Sequence, residues 1–459
     1  MAKRRLMKSL TWMLPGYEIK RWLLMSFLGL SLIALGFAIL FNLRPITFAI
    51  EVITWVAHFA PSQVTASIFL ILGTALILWG YLRTRRTMNS VIGESGWVTK
   101  FMDDLYKHHK LARGPKIVAI GGGTGLSTLL RGLKNYTNNI TAIVTVGDDG
   151  GSSGILREDH GIIPPGDIRN CIAALASEEE LMTSLFQYRF KSGGGLGGHS
   201  FGNLFLTAMA AVTGDMMSAI RTSSNVLNIR GRVLPSTLEP ITLIAEMSDG
   251  TWVRGESQIP EAQGKILTLS CEPANAAPTK EAIAAILEAD VIILGPGSLY
   301  TSVIPNLLLR EIRHAIRQNQ KAPKVYVANI VTQPGETDHM SLADHVRAIE
   351  AHAENLFQFD MVVASSALPE DLVLRYEKYE APPVELDIEP LIARGTEVLL
   401  RPIVAHMNAS NQTLRHNPHK VARIIVSWLK KYQRKRTFSQ SPQPVESMNA
   451  SEHVQASFK

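Results

Sequence analysis

The chain of 459 residues contains only two cysteines, Cys171 and Cys271. That excludes a disulfide framework and a cysteine-rich zinc site, and it fits a reducing compartment. A His-Glu-x-x-His helix, a Cys–His nucleophile pair and any closely spaced His/Cys metal set are also missing, so familiar metal-assisted or thiol hydrolysis has no residues to run on. No internal repeat is present, which removes solenoids and propellers. An excess of one charge is absent too, once the chain is divided near residue 110. The first part holds 13 Lys and Arg against 5 Asp and Glu, and the remainder holds 33 against 35. The net charge of +6 therefore belongs to the N-terminal segment. The near-neutral remainder gives no compositional support for a nucleic-acid partner. With 46% hydrophobic residues, the chain is too apolar for disorder and long enough for a sizeable core.

The N-terminal segment is rich in apolar length. Residues 22–41 and 64–82 are uncharged runs, each long enough to cross about 30 Å of hydrocarbon as a helix. Lys3, Arg4, Arg5, Lys8, Lys20 and Arg21 precede the first run, and Arg83, Arg85 and Arg86 follow the second. The connection carries only Arg44 against Glu51. These flanks predict a two-helix transmembrane hairpin in the inner (plasma) membrane, multi-pass, with the N-terminus and the main domain cytoplasmic. Residues 46–59, apolar with Trp55, are short for a third span and are expected to lie at the interface or to re-enter. No small-residue cleavage site follows the first run, which argues against a removed signal peptide.

After Gly114-Pro115 the pattern changes to short β-branched runs, glycine-rich turns and helical stretches. Strands are predicted at 116–120, 141–146, 291–294, 324–329 and 361–364, several apolar on both faces as buried parallel strands are. Residues 241–259 alternate around Asp249-Gly250 and predict an antiparallel hairpin. The last helix is expected at 421–432. The basic run that follows, Lys430, Lys431, Arg434, Lys435 and Arg436, reads as a solvated helix end, with lipid contact as the competing reading. The fold class is thus α/β: a Rossmann-like, mostly parallel sheet with a small antiparallel insertion, preceded by the hairpin. The expected organisation is a membrane anchor over 1–86, a juxtamembrane linker over 87–114, a nucleotide-binding domain over 115–436 and a disordered tail over 437–459.

Chemistry is expected where strands end. The first strand runs into Gly121-Gly122-Gly123-Thr124-Gly125-Leu126-Ser127 and then a helix. Such a turn lets the backbone approach a phosphate held at the helix N-terminus, although a merely structural turn has the same appearance. It is neither a Walker loop nor a strict dinucleotide fingerprint. The second strand ends in Asp148-Asp149-Gly150-Gly151-Ser152-Ser153-Gly154. Either carboxylate suits a sugar hydroxyl or a hard divalent ion, and the Gly-Gly-Ser-Ser segment suits a phosphate; an Asp-Gly turn with capping serines is the structural alternative. Asp167, in Pro164-Pro165-Gly166-Asp167, is expected to cap the next helix, with Arg169 turned to a phosphate or to a structural carboxylate. Gly193 to Gly198, before His199-Ser200-Phe201-Gly202-Asn203, looks like another ligand-facing loop, and His199 is read as a packed histidine rather than a general acid. Loops after successive parallel strands emerge on one edge of a sheet, so several such turns together predict a cleft for a diphosphate or phosphorylated sugar.

The ordered set Ile120-Gly121-Gly122-Gly123-Thr124-Gly125-Leu126-Ser127, Asp148 to Gly154, Pro164 to Asn170, Gly198 to Asn203 and Gly295-Pro296-Gly297-Ser298-Leu299-Tyr300-Thr301-Ser302 resembles the YvcK-type gluconeogenesis factors, relatives of 2-phospho-L-lactate transferase. The resemblance covers roughly residues 116–432 and leaves out the hairpin, an addition to the usual soluble form. It implies a domain that binds a sugar nucleotide, UDP-N-acetylglucosamine or UDP-glucose, with NAD as another ligand class and no required cofactor. The implied role is regulatory, in cell-envelope precursor synthesis and cell shape on gluconeogenic carbon sources, through a cytoplasmic protein partner. By motif position Gly122, Gly123, Thr124 and Asp148 would line the pocket, with Asn203, Ser298 and Tyr300 from later loops. Tyr376 and Arg415 correspond, on looser matching, to residues that contact uridine and diphosphate; for Arg415 a surface ion pair is the ordinary alternative. The transferase relatives imply a second reading, a Mg²⁺-dependent phosphotransferase with Asp148 at the metal. Homo-oligomerisation is left open.

Overall fold

The structure, a computed structural model, describes residues 19–40, 44–57, 62–92 and 110–439, apart from 178, 192–193, 367, 369, 379 and 406–413. The basic flank before residue 19, most of the linker and nearly all of the predicted tail lie outside the described residues. Two compact units are distinguished, Met1–Phe101 and Met102–Lys459.

In the first unit, helices Ile19–Leu40, Arg44–Ala57 and Ser62–Ile92 follow one another. The first covers residues 22–40 of one apolar run and the third contains the other, and residues 46–57 of the segment expected at the interface or re-entrant are helical. Large apolar side chains of the outer helices are exposed, among them Phe27, Leu30, Leu70, Ile77 and Trp79. Taken over its described residues, no single helix is long and apolar enough to cross a membrane.

The second unit is built on a seven-stranded sheet: β1 (Ile117–Gly121), β2 (Ile140–Val144), β3 (Arg232–Pro235), β7 (Val291–Leu294), β8 (Lys324–Val327), β9 (Met361–Ser365) and β10 (Glu397–Arg401). Every pairing is parallel, in the order β10-β9-β8-β7-β1-β2-β3. β1, β2, β7, β8 and β9 are buried along their whole length, which explains why their sequences are runs of Val, Ile and Ala rather than alternations. Helices cover the sheet; Gly123–Leu133, for instance, buries Leu126, Leu129, Leu130 and Leu133. A separate antiparallel sheet, β5-β4-β6, is formed by β4 (Thr242–Met247), β5 (Trp252–Arg254) and β6 (Ile266–Glu272). The predicted hairpin is β4–β5, its turn made by Asp249, which accepts from the Thr251 amide at 2.9 Å, and Gly250 at φ +84°.

Three strands lacked a sequence signal. β3 has only four residues and ends in proline. β10 is an edge strand flanked by Glu397 and Arg401 and only partly buried. β6 alternates without a turn pair to mark it. The last helix, Pro418–Ser439, is longer than predicted at both ends.

The strand order places a topological switch between β1 and β7. From there the chain winds one way through β2 and β3, and the other way through β8, β9 and β10. In open parallel sheets the crevice outside the C-terminal ends of the strands at such a switch is where ligands bind.

Candidate functional site

At the switch, Gly122 leaves β1 fully extended (φ −160°, ψ 175°) and starts helix Gly123–Leu133 without a side-chain cap. The first amides of a helix have no intrahelical acceptor, and the helix dipole adds partial positive charge there. The Gly123 amide is taken by the Asp167 carboxylate. Thr124 beside it is exposed. A Cβ on Gly122 would come 2.5 Å from Asp167 Oδ2 and 2.6 Å from the Thr145 methyl group, so this position admits only glycine. A Cβ on Gly125 would overlap the Pro296 carbonyl and lie 2.8 Å from Gly297 Cα. The loops after β1 and β7 are therefore interlocked backbone to backbone.

Three further loops join this rim. Gly297 donates to Asn329 Oδ1 (3.2 Å) beyond β8, and Gln333 Nε2 donates to Ser298 Oγ (2.7 Å). Glu336 accepts from the Tyr300 amide at 3.2 Å and from Thr301 Oγ1 at 3.1 Å. Beyond β2, Asp148 accepts the Gly150 amide at 3.0 Å, and Asp149 accepts the amides of Glu256 and Ser257, each at 2.9 Å. Asp149 thus fastens the segment after β5 to the rim. The far end of that segment is fixed at Gly335 (φ +77°), where a Cβ would run into the backbone of Pro260. The insertion consequently bridges the loops after β2 and β8 and brings Glu256 to the crevice.

The wall so formed is acidic. Burial, then the charge of Asp148, pushes the Asp167 carboxyl up to about 7. Burial together with Asp148, Asp167, Glu336 and Asp149 pushes Glu256 up to about 8, and burial raises Glu336 to about 7. Thr145 Oγ1, just beyond β2, and Ser365 Oγ, at the end of β9, are buried without a protein hydrogen-bond partner. Unpaired buried hydroxyls are costly and mark places where a ligand or water can donate or accept. Among the described residues, no group of three or more His, Cys, Asp or Glu is arranged to hold a metal ion. Magnesium needs only one or two protein carboxylates when a ligand phosphate supplies the rest, so Asp148 with Asp167 remains a chemically fitting pair.

Several predicted residues take other roles. Ser152, Ser153 and Asn203 lie beneath the crevice in one buried network. Asn203 Nδ2 donates to Ser152 Oγ (3.1 Å) and Ser153 Oγ (3.4 Å), and Ser152 Oγ meets His199 Nδ1 at 3.0 Å. Gly150 to Gly154 has the Gly-x-Ser-x-Gly spacing of a nucleophile elbow, but Ser152 is buried in the first turn of helix Gly151–His160 and tied to Asn203, not presented to a substrate. Among the described residues Arg169 forms no ion pair, and its Nε is buried without a protein partner. Its guanidinium donates to Ser200 (2.5 Å), Asn203 (2.9 Å) and Asn170 (3.0 Å). Asp167 does not cap its own helix, whose N-cap is Pro165, because it has turned to Gly123. The loop predicted to face the ligand at Gly193 to Gly198 is exposed where described, with open space around Gly195 and Gly198. Tyr300 is buried with its ring edge-on to His352 at 5.9 Å, and its hydroxyl is pushed up to about 12 by burial. Only its backbone serves the rim.

Tyr376 and Arg415, distant in sequence, are brought together: the Tyr376 hydroxyl accepts the amide of Leu414. Arg415 is exposed, and the next residue, His416, sets Nε2 3.0 Å from the Ala328 carbonyl at the end of β8. This pair therefore stands at the same C-terminal edge, over the β8–β10 half of the sheet.

Asp149→Ala leaves two partly buried amides, those of Glu256 and Ser257, without their acceptor. An expected cost of about 2–4 kcal/mol follows from charge-assisted hydrogen bonds of this kind. Faster hydrogen exchange confined to residues 252–261 is the measurement that checks it.

An open, all-parallel seven-stranded sheet with a glycine-lined helix start at its switch point defines an α/β protein of Rossmann-like architecture. The family model described as 2-phospho-L-lactate transferase CofD matches residues 117–404. A gluconeogenesis factor of Bacillus subtilis is 49% identical over 320 residues, covering 70% of this chain and 100% of that protein. A Nostoc sp. protein is 50% identical over 424 residues, 91% of this chain and 92% of its own. That alignment is too long to fit within residues 115–459, so it runs into the N-terminal helices, which are therefore not peculiar to this chain. The crystal structure of a UPF0052 family member from Bacillus halodurans, 46% identical, covers 68% of this chain and 99% of its own with a TM-score of 0.65. The chain belongs to the CofD-like family, among its YvcK-type gluconeogenesis factors.

Proposed function

We propose that this chain is a membrane-tethered, cytoplasm-facing regulator that binds a UDP-sugar and, through a cytoplasmic protein partner, supports cell-envelope precursor synthesis and cell shape during gluconeogenic growth. The observation that carries the ligand class is the glycine-lined helix start at Gly122–Gly125, which has no side-chain cap from Gly122 itself and lies beside an acidic wall. A diphosphate suits the first, where amides and helix dipole meet its charge. Sugar hydroxyls and an amide N–H suit the second, because carboxylates accept from both. Tyr376 offers an aromatic face for a uracil ring, and exposed Arg415 offers a planar fork for phosphate oxygens. NAD, also a diphosphate, is the competing ligand.

The tether reading rests on the two apolar runs, their basic flanks and the exposed Phe, Leu, Ile and Trp side chains of the helices that contain them. A reporter fused after Arg86 is expected to be cytoplasmic; a periplasmic signal would reverse the orientation.

A second reading is favoured by one observation, the apposition of Asp148 and Asp167 beside that helix start. With Mg²⁺ bound between them and a phosphate, the metal would stabilise charge on a transferring group. Titration calorimetry of the full chain in detergent separates the readings. The regulator binds UDP-N-acetylglucosamine tightly and does not turn it over. The transferase requires Mg²⁺, releases nucleotide from a phospholactyl-guanosine donor, and loses that release in Asp148→Asn while donor binding is partly kept. Absence of binding to the UDP-sugar, NAD and the guanosine donor alike would refute the site.

A further inference from the structure

The near-neutral composition of the second unit conceals a separation of charge along the strand direction. Because all seven strands of the large sheet are parallel, their starts share one edge and their ends the other. Asp148, Asp149, Asp167, Glu256 and Glu336 lie at the ends. The starts are crossed by the C-terminal half of helix Pro418–Ser439. Trp428 Nε1 donates to Glu397, the first residue of β10 (2.8 Å). Tyr432 donates to Asp360, which precedes β9 (3.3 Å). Arg436 donates to the carbonyls of Gln320 and Lys321, just before β8 (3.2 and 2.9 Å). These contacts fix the last turns of the helix against that edge and occupy two of its acids. Two others, Glu288 and Asp290, are engaged by the side chain and amide of Lys116, each at 2.8 Å. Exposed on the helix stand Lys430, Lys431, Arg434 and Lys435, and Lys321, whose carbonyl Arg436 holds, is exposed beside them.

The chain also enters the second unit at this edge. Asn139, directly before β2, donates to the carbonyls of Ala112 and Gly114, both at 2.8 Å, and the Asn138 amide donates to Leu111 at 2.9 Å. Residues 111–114 thus lie at the strand-start edge, not at the ligand crevice.

We propose that this basic edge binds an anionic lipid surface. The inference rests on the tether reading for the presence of a bilayer and on charge complementarity for its partner: clustered Lys and Arg are attracted by acidic headgroups within a Debye length. A nucleic acid is disfavoured because the chain beyond residue 110 is near-neutral, with 33 Lys and Arg against 35 Asp and Glu.

The test uses the full chain in lipid nanodiscs, either neutral phosphatidylcholine or a mixture containing about a third phosphatidylglycerol. Acetylation rates of Lys430, Lys431 and Lys435 are read by mass spectrometry, with Lys280, at the opposite end of its helix from the strand starts, as reference. The expected result is at least about threefold slower modification in anionic discs, disappearing near 1 M salt where the Debye length falls to about 3 Å. Lys431→Glu with Arg434→Glu should remove the protection of Lys430 and Lys435 while leaving calorimetric UDP-sugar affinity unchanged. Equal rates in both disc types at low salt would overturn the proposal, as would protection by duplex DNA that anionic discs do not match. Retention of the chain on discs through the salt wash reports the tether separately, so loss of retention with composition-dependent protection at low salt refutes the tether and keeps the surface.

Discussion

Gly125→Ala is expected to abolish UDP-sugar binding and to destabilise the second unit by about 3 kcal/mol, the upper range for forcing an extra carbon into a close-packed site. The reason is the identity of the neighbour. A Cβ at this position meets the backbone of Pro296 and Gly297, not the end of a flexible side chain. The loops after β1 and β7 must therefore separate, and they are the two loops that border the switch point. Gly195→Ala is the matched control, because a Cβ there meets nothing within 4 Å; its effect should stay within about 0.5 kcal/mol. Urea unfolding checks the stability term as a change of midpoint at constant slope, and calorimetry checks the binding. A Gly125→Ala protein with normal ligand affinity would mean that the phosphate does not sit at this helix start.

The same contact shows what sequence can and cannot reveal. β1, β2, β7, β8 and β9 were legible because burial on both faces leaves unbroken β-branched runs, and the glycine turns after them were legible because close backbone approach admits no other residue. The rim they form was an inference from parallel topology. What lies opposite could not be read. Glu256 sits in an insertion with no motif, and it reaches the crevice only because Asp149, more than a hundred positions earlier, holds its amide. Asp149 itself looked like a ligand-binding carboxylate, since sequence records an acid but not the direction of its oxygens. Ser152 and Ser153 were nominated as phosphate donors and Asn203 by motif position, yet they are tied to one another and to His199 and Arg169. The role of Arg169 was undecidable between phosphate and carboxylate because the actual acceptors, Ser200 and Asn203, are neutral. Long-range hydrogen bonds of this kind leave no periodicity, and they divide the side chains that face a ligand from those that support them.

Asp167→Asn is expected to raise the thermal midpoint of the unliganded protein near pH 8 by more than it does near pH 5. In the folded chain the Asp167 carboxyl is pushed up to about 7 by burial and by Asp148; unfolded, it returns to the ordinary carboxylate range. Between those values the native state holds a proton that the unfolded chain has released. Stability from this group is therefore complete at low pH and is lost as pH rises through about 7. At about 1.4 kcal/mol per pKa unit, the loss is bounded near 4 kcal/mol, or roughly 5–10 °C. Glu256 and Glu336, raised to about 8 and about 7, titrate in the same direction, so wild-type stability should fall from pH 5 to pH 8 and the variant should retain a shallower slope. Asparagine can still accept the Gly123 amide, which isolates the charge from the hydrogen bond. Millimolar Mg²⁺ should restore the wild-type midpoint at the higher pH and do nothing at the lower, because a cation between Asp148 and Asp167 has value only when both are ionised. A wild-type midpoint that is flat or rises across this interval would show that these carboxyls are not buried together, and the acidic wall of the crevice would have to be redrawn.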